Sequence, residues 1–230
     1  MTMTIGAVAS SKSNAAAATG AVRFSSSAMK YSRSASGLGG TFTMTCWAKI
    51  VTDRNAITCF IGQDDASTNY YYLSTTSDGT SLRRDGTSGA ANPSGLNMTV
   101  GTWVYMATVN DTGGGTDLMG YKVSGGSWVA SSAGAATVVG PNNANTFYIG
   151  NNGFNNFLNG SIAAVKVWDV ALTDAELQAE AFTYAAVKTS GLWANYQFRS
   201  GPQTTDDSGL GKTLTQGGVP VLDASGPPIT

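Results

Sequence analysis

The sequence predicts an all-β fold, an antiparallel β-sandwich carrying one short helix. Three observations lead there. The 230 residues are 42% apolar and only 12% charged, with 29 glycines. That composition suits short strands and tight turns better than long solvated helices. Phe42 to Ile50 alternates strictly, with Phe42, Met44, Cys46, Ala48 and Ile50 on one face and Thr43, Thr45, Trp47 and Lys49 on the other. The stretch GSIAAVKVWDVALTDAEL at 160 to 177 passes from a strand pattern into a helix start.

Taken in order, Thr4 to Val8 and Ala21 to Phe24 read as short strands around an Ala/Ser/Asn-rich connector, and Ala28 to Arg33 alternates weakly. After Phe42 to Ile50, strands are expected at Ala56 to Gly62, Tyr70 to Ser74 and Ser81 to Arg84, the last two separated by a turn at Ser77-Asp78-Gly79. Gly101 to Ala107 is the next strand, Thr112 to Thr116 a glycine-rich loop, and Leu118 to Val123 pairs with Trp128-Val129 around Gly125-Gly126. Phe147 to Gly150 precedes a loop of asparagines, 151 to 156. Ile162 to Val170 is a long strand. A helix follows over 173 to 186. Its start is a capping box, in which the Thr173 hydroxyl takes an orphan amide and the Glu176 carboxylate reaches back. Leu177, Ala181 and Tyr184 give it one apolar stripe.

Several of these segments share a resemblance. Gly160, Ile162, Val165, Lys166, Val167, Trp168, Leu172, Thr173, Glu176 and Leu177 match the closing strand and helix start of laminin-G-like jelly rolls, within the concanavalin A-like lectin and glucanase superfamily. The two acids usual in that signature fall on Ala163 and Ala164. GTFTMTCWAKI at 40 to 50 resembles the family's first long strand, and GTWVYMA at 101 to 107 another, with Val104 and Tyr105 where histidine is common. GLWANYQFRSGPQTTDDSGLGKTL, 191 to 214, resembles the strand and turn that normally open such a domain, yet it comes last. It is expected to close a sheet from the C-terminal side. The resemblance implies a concanavalin A-like jelly roll over 21–215, with 1–20 an N-terminal arm and 216–230 a docked tail.

Composition narrows function. The net charge of −1 and the lack of a basic run argue against nucleic-acid binding, and no apolar run reaches the ~20 residues of a membrane span. The start lacks a signal-peptide pattern. A virion surface, or an extracellular or cell-surface place as a mature secreted fragment, is therefore expected. With no histidine no Ser-His pair can be assembled. Glu176 and Glu180, the only glutamates, both fall on the expected helix, so the Glu-x-Asp-x-x-Glu strand motif of the superfamily's retaining glucanases is absent, and no two acids alternate along an expected strand. An enzyme is not expected, and a glycoside hydrolase ranks third among the functions.

Two binding chemistries remain. The superfamily resemblance implies Ca²⁺ at a rim, for which Asp64 and Asp65 with Asn69 are candidates, and beside them the loop of Asn151, Asn152, Asn155 and Asn156, which contains no acid. Turn-forming is the alternative role for such residues. A glycan surface needs aromatic faces with amides and charges nearby. Tyr71, Arg83, Asn152, Phe154 and Asn156 are the candidates, against the alternative that aromatic rings serve the core or a neighbouring subunit. Trp47, Trp103 and Trp168 read as core. A hairpin tip at Thr52-Asp53 would set Cys46 opposite Cys59 within disulfide reach, although the lack of a secretion signal favours two buried free thiols. The expected function is a non-catalytic, lectin-like recognition or structural module. Its first expected setting is a phage decoration, fibre or tail protein that touches neighbouring subunits, as a homo-oligomer or virion assembly, or host glycan. Its second is a carbohydrate-binding or adhesion domain of a secreted bacterial protein.

Overall fold

A computed structural model describes residues 20–52, 58–64, 70–75, 82–85, 96, 98–113, 116–134, 146–152 and 156–229. Within them two antiparallel sheets face each other. The strands are β1 (Ala21–Phe24), β2 (Lys30–Ser34), β3 (Phe42–Ile50), β4 (Thr58–Asp64), β5 (Tyr70–Thr75), β6 (Leu82–Asp85), β7 (Val104–Asn110), β8 (Thr116–Val123), β9 (Trp128–Gly134), β10 (Thr146–Ile149), β11 (Gly160–Trp168), β12 (Leu192–Tyr196), β13 (Thr215–Gly217) and β14 (Val221–Asp223). The larger sheet runs β14-β1-β11-β3-β7-β8-β9, with β12 also on β11; the smaller runs β13-β2-β10-β4-β5-β6.

The alternation read along β3 holds. Phe42, Met44, Cys46, Ala48 and Ile50 enter the core between the sheets, while Trp47 belongs to a second apolar cluster on the outer face of the larger sheet. A strand buried on both faces follows from sheets covered on both sides. The cover is helix α1 (Asp174–Glu180), and its capping box is present, with Glu176 N donating to Thr173 Oγ1 at 3.3 Å and Thr173 N donating to Glu176 Oε2 at 2.9 Å. The helix ends at Glu180, not near Ala186. Leu177, Ala181 and Tyr184 are still all buried on the sheet, so the apolar spacing outlasts the helix because the segment after it packs as well.

Aromatic tips fasten that cover. Trp47 Nε1 donates to Ala181 O (2.9 Å), Tyr105 Oη to Leu177 O (2.9 Å), Trp128 Nε1 to Asp174 Oδ1 (2.7 Å) and Trp168 Nε1 to Lys188 O (2.7 Å). Each ring buries its apolar body and spends its polar tip on the segment above, as buried Trp and Tyr require. The core reading of Trp47, Trp103 and Trp168 is correct.

The expected hairpin between Cys46 and Cys59 is not formed. Cys46 stands opposite Met106 in one sheet and Cys59 opposite Ser74 in the other. The chain crosses between sheets where a hairpin tip was expected, and both cysteines are buried thiols outside any disulfide. The C-terminal stretch does close the larger sheet. β12 pairs with Val165–Trp168 of β11, while β1 pairs with Gly160–Ile162 on the same edge. The edge changes hands at Ala164, which sits at φ 49° and donates its N–H to Gln197 O at 3.1 Å. A non-glycine residue in this region costs about 1–2 kcal/mol, offset here by what the two neighbouring strands bury. β13 then pairs with β2 and β14 with β1, so one segment borders both sheets. Its anchor is Asp223, which accepts from Lys49 Nζ (2.9 Å) and Ser161 Oγ (2.5 Å), while Trp103 Nε1 donates to Ser225 O (3.0 Å).

Three carboxylates in this region ionise unusually easily. Burial opposes ionisation of Asp206, but donors from Asn195, Ser208 and Lys212 outweigh it and lower its pKa. Asp223 is lowered in the same way by Ser161, Ser225 and Lys49 against burial. Glu176 is lowered from 4.5 to about 2, first by Lys188 and then by its capping bond. Each binds a proton more weakly folded than unfolded, so acid favours the unfolded chain. We expect the urea midpoint to hold above pH 5 and to fall progressively as pH drops from about 4.5 towards 2; a flat profile there would show that these contacts add nothing.

Candidate functional site

With one face of the larger sheet closed by α1, the outer face of the smaller sheet is the other broad surface. Register decides what it shows. Tyr31, Ile149, Ile61 and Leu73 form a row that faces the core. The next row points to the outer face and runs Thr215, Ser32, Tyr148, Gly62, Tyr72 across five of the six strands, with Thr215, Ser32 and Tyr148 reaching solvent and Gly62 and Tyr72 buried. Tyr148 is half-buried, and Lys30 Nζ lies 5.3 Å from its ring centre. The absence of a side chain at Gly62 lets the Tyr72 ring lie across β4. A Cβ there would stand 2.3 Å from Tyr72 Cδ1 and 2.4 Å from Tyr71 O. Tyr72 Oη donates to Asp64 Oδ2. Burial first, then this carboxylate, pushes the phenol well above its ordinary pKa, so the hydroxyl stays a donor at any working pH.

The predicted glycan residues do not gather into one site. Tyr71 is 2% exposed, stands edge-on to Phe42 at 4.7 Å between ring centres and shares a hydrogen bond with Thr108, so it serves the core. This corrects its assignment to a ligand. In a row of three tyrosines the register, which composition does not reveal, turned Tyr72 outward and Tyr71 inward. Asn152 is 4% exposed and its Oδ1 accepts from Asn156 N at 3.3 Å, closing a loop that the Asn151–Phe157 bridge also shuts. These two asparagines hold their own turn, the alternative weighed for them. Arg83 lies on β6 opposite Ser74. Phe154 is outside the described residues.

Of the calcium candidates, Asp64 is 4% exposed and engaged by Tyr72; Asp65 and Asn69 lie outside the described residues. Among the described residues no three of His, Cys, Asp and Glu cluster to hold a metal. Asp64 and the asparagine loop also lie at opposite ends of β10, since Thr146 faces Asp64 whereas Gly150 N bonds Phe60 O. That separation is about 14 Å at the usual rise per residue. Both glutamates are occupied structurally, Glu176 by the helix cap and Lys188, Glu180 by Lys166. Tyr148 was missed because it sits between Phe147 and Ile149. The alternation of that strand was its signal: both neighbours point to the core, so the residue between them points out.

Comparison with known proteins adds the following. A sequence model of the Laminin_G_3 family, described as the concanavalin A-like lectin/glucanases superfamily, matches residues 17–178. No curated protein sequence matches the chain. Among solved structures, a protein from Bacteroides ovatus ATCC 8483 described as carbohydrate-binding is similar, with TM-score 0.63 and 20% identity over 93% of this chain and 62% of that one. The chain thus spans about three fifths of that relative's length. A heptameric SAP-like pentraxin from Limulus polyphemus has TM-score 0.51 and 14% identity, covering 89% of this chain and 94% of its own. Tailspike protein 2 of an Escherichia coli O157:H7 bacteriophage has TM-score 0.52 and 13% identity, covering 74% of this chain and 25% of its own. At such identities the likeness is one of fold.

Proposed function

The chain belongs to the concanavalin A-like lectin/glucanases superfamily, and from that premise we propose that it is a non-catalytic carbohydrate-binding module. The observation that carries this reading is the outward row of the smaller sheet. It offers a half-buried aromatic ring at Tyr148, an ammonium at Lys30 and a hydroxyl at Ser32, while the neighbouring Tyr72–Asp64 pair is buried and closed on itself. Sugars are held by such a set, the ring against C–H groups and the polar atoms against hydroxyls. The fold likeness to the Bacteroides ovatus protein described as carbohydrate-binding supports it.

Tyr148→Ala tests the reading directly. Its side chain is half-buried on an outer face, so the fold is expected to survive while glycan affinity falls roughly 30-fold, about 2 kcal/mol. A glycan array followed by titration reads this out, and undiminished binding by the variant would sink the platform. Repeating the titration in EDTA shows whether calcium at Asp64, Asp65 and Asn69 takes part. A second reading sets the same module on a virion surface, supported by the tailspike's fold. A symmetric oligomer in native mass spectrometry would favour it, and a monomer would speak against it.

A further inference from the structure

Beyond the outward row lies a second polar feature, on the other face of β2 from Lys30. Arg33 and Lys212 approach one ring. The Arg33 guanidinium carbon and Lys212 Nζ each lie 5.0 Å from the centre of Trp193. Trp193 is 3% exposed and packs against Phe147 at 5.6 Å, so it is a fixed post and not itself a contact surface. Its Nε1 donates to Ser36 O (3.3 Å), and the same carbonyl accepts from Lys212 Nζ (3.4 Å). Arg33 Nε donates to Ser34 O at 2.8 Å, whereas its Nη1, a buried atom, has no acceptor among the described residues, and the side chain as a whole is half-buried. The backbone of Lys212 is held in turn, its N–H by Asp206 Oδ2 and its carbonyl by Tyr196 Oη.

Among the described residues the arrangement has no carboxylate paired to it. The neighbouring carboxylates accept from β12, from the residue after it and from their own loop: Asp206 from Asn195 N, Ser208 N, Ser208 Oγ and Lys212 N, and Asp207 from Gln197 N and Gln203 Nε2. Two half-buried cations held on one ring by backbone carbonyls repel each other, and a folded chain of net charge −1 has no general need of such a pair. Protein carbonyls satisfy some of their donors but none of their charge. Two fixed positive charges on one ring, with no carboxylate paired to them among the described residues, are the setting in which an oxyanion is held by charge-assisted hydrogen bonds.

We propose that Arg33 and Lys212 form an anionic subsite that takes the carboxylate or sulfate groups of an acidic polysaccharide. Guanidinium and ammonium groups bind such oxyanions through charge-assisted hydrogen bonds, and both are already positioned, so little freedom is lost on binding. The anchoring also argues against loose polyanion attraction, which would need a positive overall charge. The proposal rests on the carbohydrate-binding reading for the carrier of the anion, but on its own residues for the charge.

The test pairs polymers that differ in charge alone. Binding of the full chain to polygalacturonate is compared with its methyl-esterified form, and to dextran sulfate with dextran. The wild type is expected to bind the charged member of a pair about tenfold more tightly at low salt, the gap closing as ionic strength rises. Arg33→Ala with Lys212→Ala should erase the gap and leave binding to the neutral member unchanged. Lys212→Gln, which gives up one long hydrogen bond, should narrow the gap and serves if the double variant does not fold. Equal binding within both pairs, or a gap that survives either variant in full, overturns the subsite alone. Absence of binding to all four polymers overturns the subsite, while loss of neutral binding in Tyr148→Ala is judged separately and bears only on the outward row.

Discussion

Deleting residues 191–230 is expected to leave a chain that does not fold, although the family match ends at residue 178. The segment does more than decorate a finished domain. Trp193, Tyr196, Phe198 and Leu214 are between 0% and 3% exposed and lie in the core between the sheets. Burying each is worth about 1.5–3 kcal/mol, so together they supply about 6–12 kcal/mol. Whole domains are stable by only about 5–15 kcal/mol. The truncation also strips β12 from β11, β13 from β2 and β14 from β1, exposing edges on both sheets. Far-ultraviolet circular dichroism with urea titration would read the result. A cooperative transition in the truncated chain would show that residues 1–190 are sufficient by themselves.

The second large effect is expected at Lys166. Its side chain is fully enclosed, yet Nζ finds Glu180 Oε2 (2.8 Å), Glu180 O (3.0 Å), Thr183 O (2.8 Å) and Thr183 Oγ1 (3.0 Å). Glu180 in turn accepts from the N–H groups of Val187 and Lys188. One ammonium on the sheet thus organises the whole turn after α1. Breaking a buried pair from one side leaves an uncompensated charge and costs about 3–5 kcal/mol, and Lys166→Met should fall near 3 because Glu180 keeps two backbone donors. Glu180→Gln should cost less. Burial already lowers the Lys166 pKa, Glu180 only partly countering it, so a lysine deprived of its partner can release its proton. That defect should shrink as pH rises. The double variant should lose less than the two singles summed, by more than about 1 kcal/mol. Urea midpoints measure all of these, and strict additivity would refute the coupling.

How much of this was legible beforehand depends on which force set each feature. The two faces of β3 and the Thr173–Glu176 cap were readable because they are local, set by a period of two and by one side chain reaching three residues along. The crossing between Ile50 and Thr58 was not. A turn-like Thr52-Asp53 suits a hairpin, and only the need to build a second sheet sends the chain across. Helix length was overread for a similar reason, since Ala181 and Tyr184 are apolar to meet the sheet and not to prolong the helix. The site suffered most. Tyr71 and Tyr72 differ only in phase, and phase is fixed by pairing with β4 and β6. Arg33 and Lys212 stand 179 positions apart and meet only through Trp193.

The placement of β13 and β14 has a mechanical consequence. Tension entering beyond Asp223 first loads the Ile229 socket, the Ser225 contacts and the short ladder between β14 and β1. From there it passes through Val219 and Pro220 into β13, which belongs to the opposite sheet. The load is therefore divided between both layers of the sandwich before it reaches β12. A tether on this side pulls the layers as one body instead of peeling one away from the other.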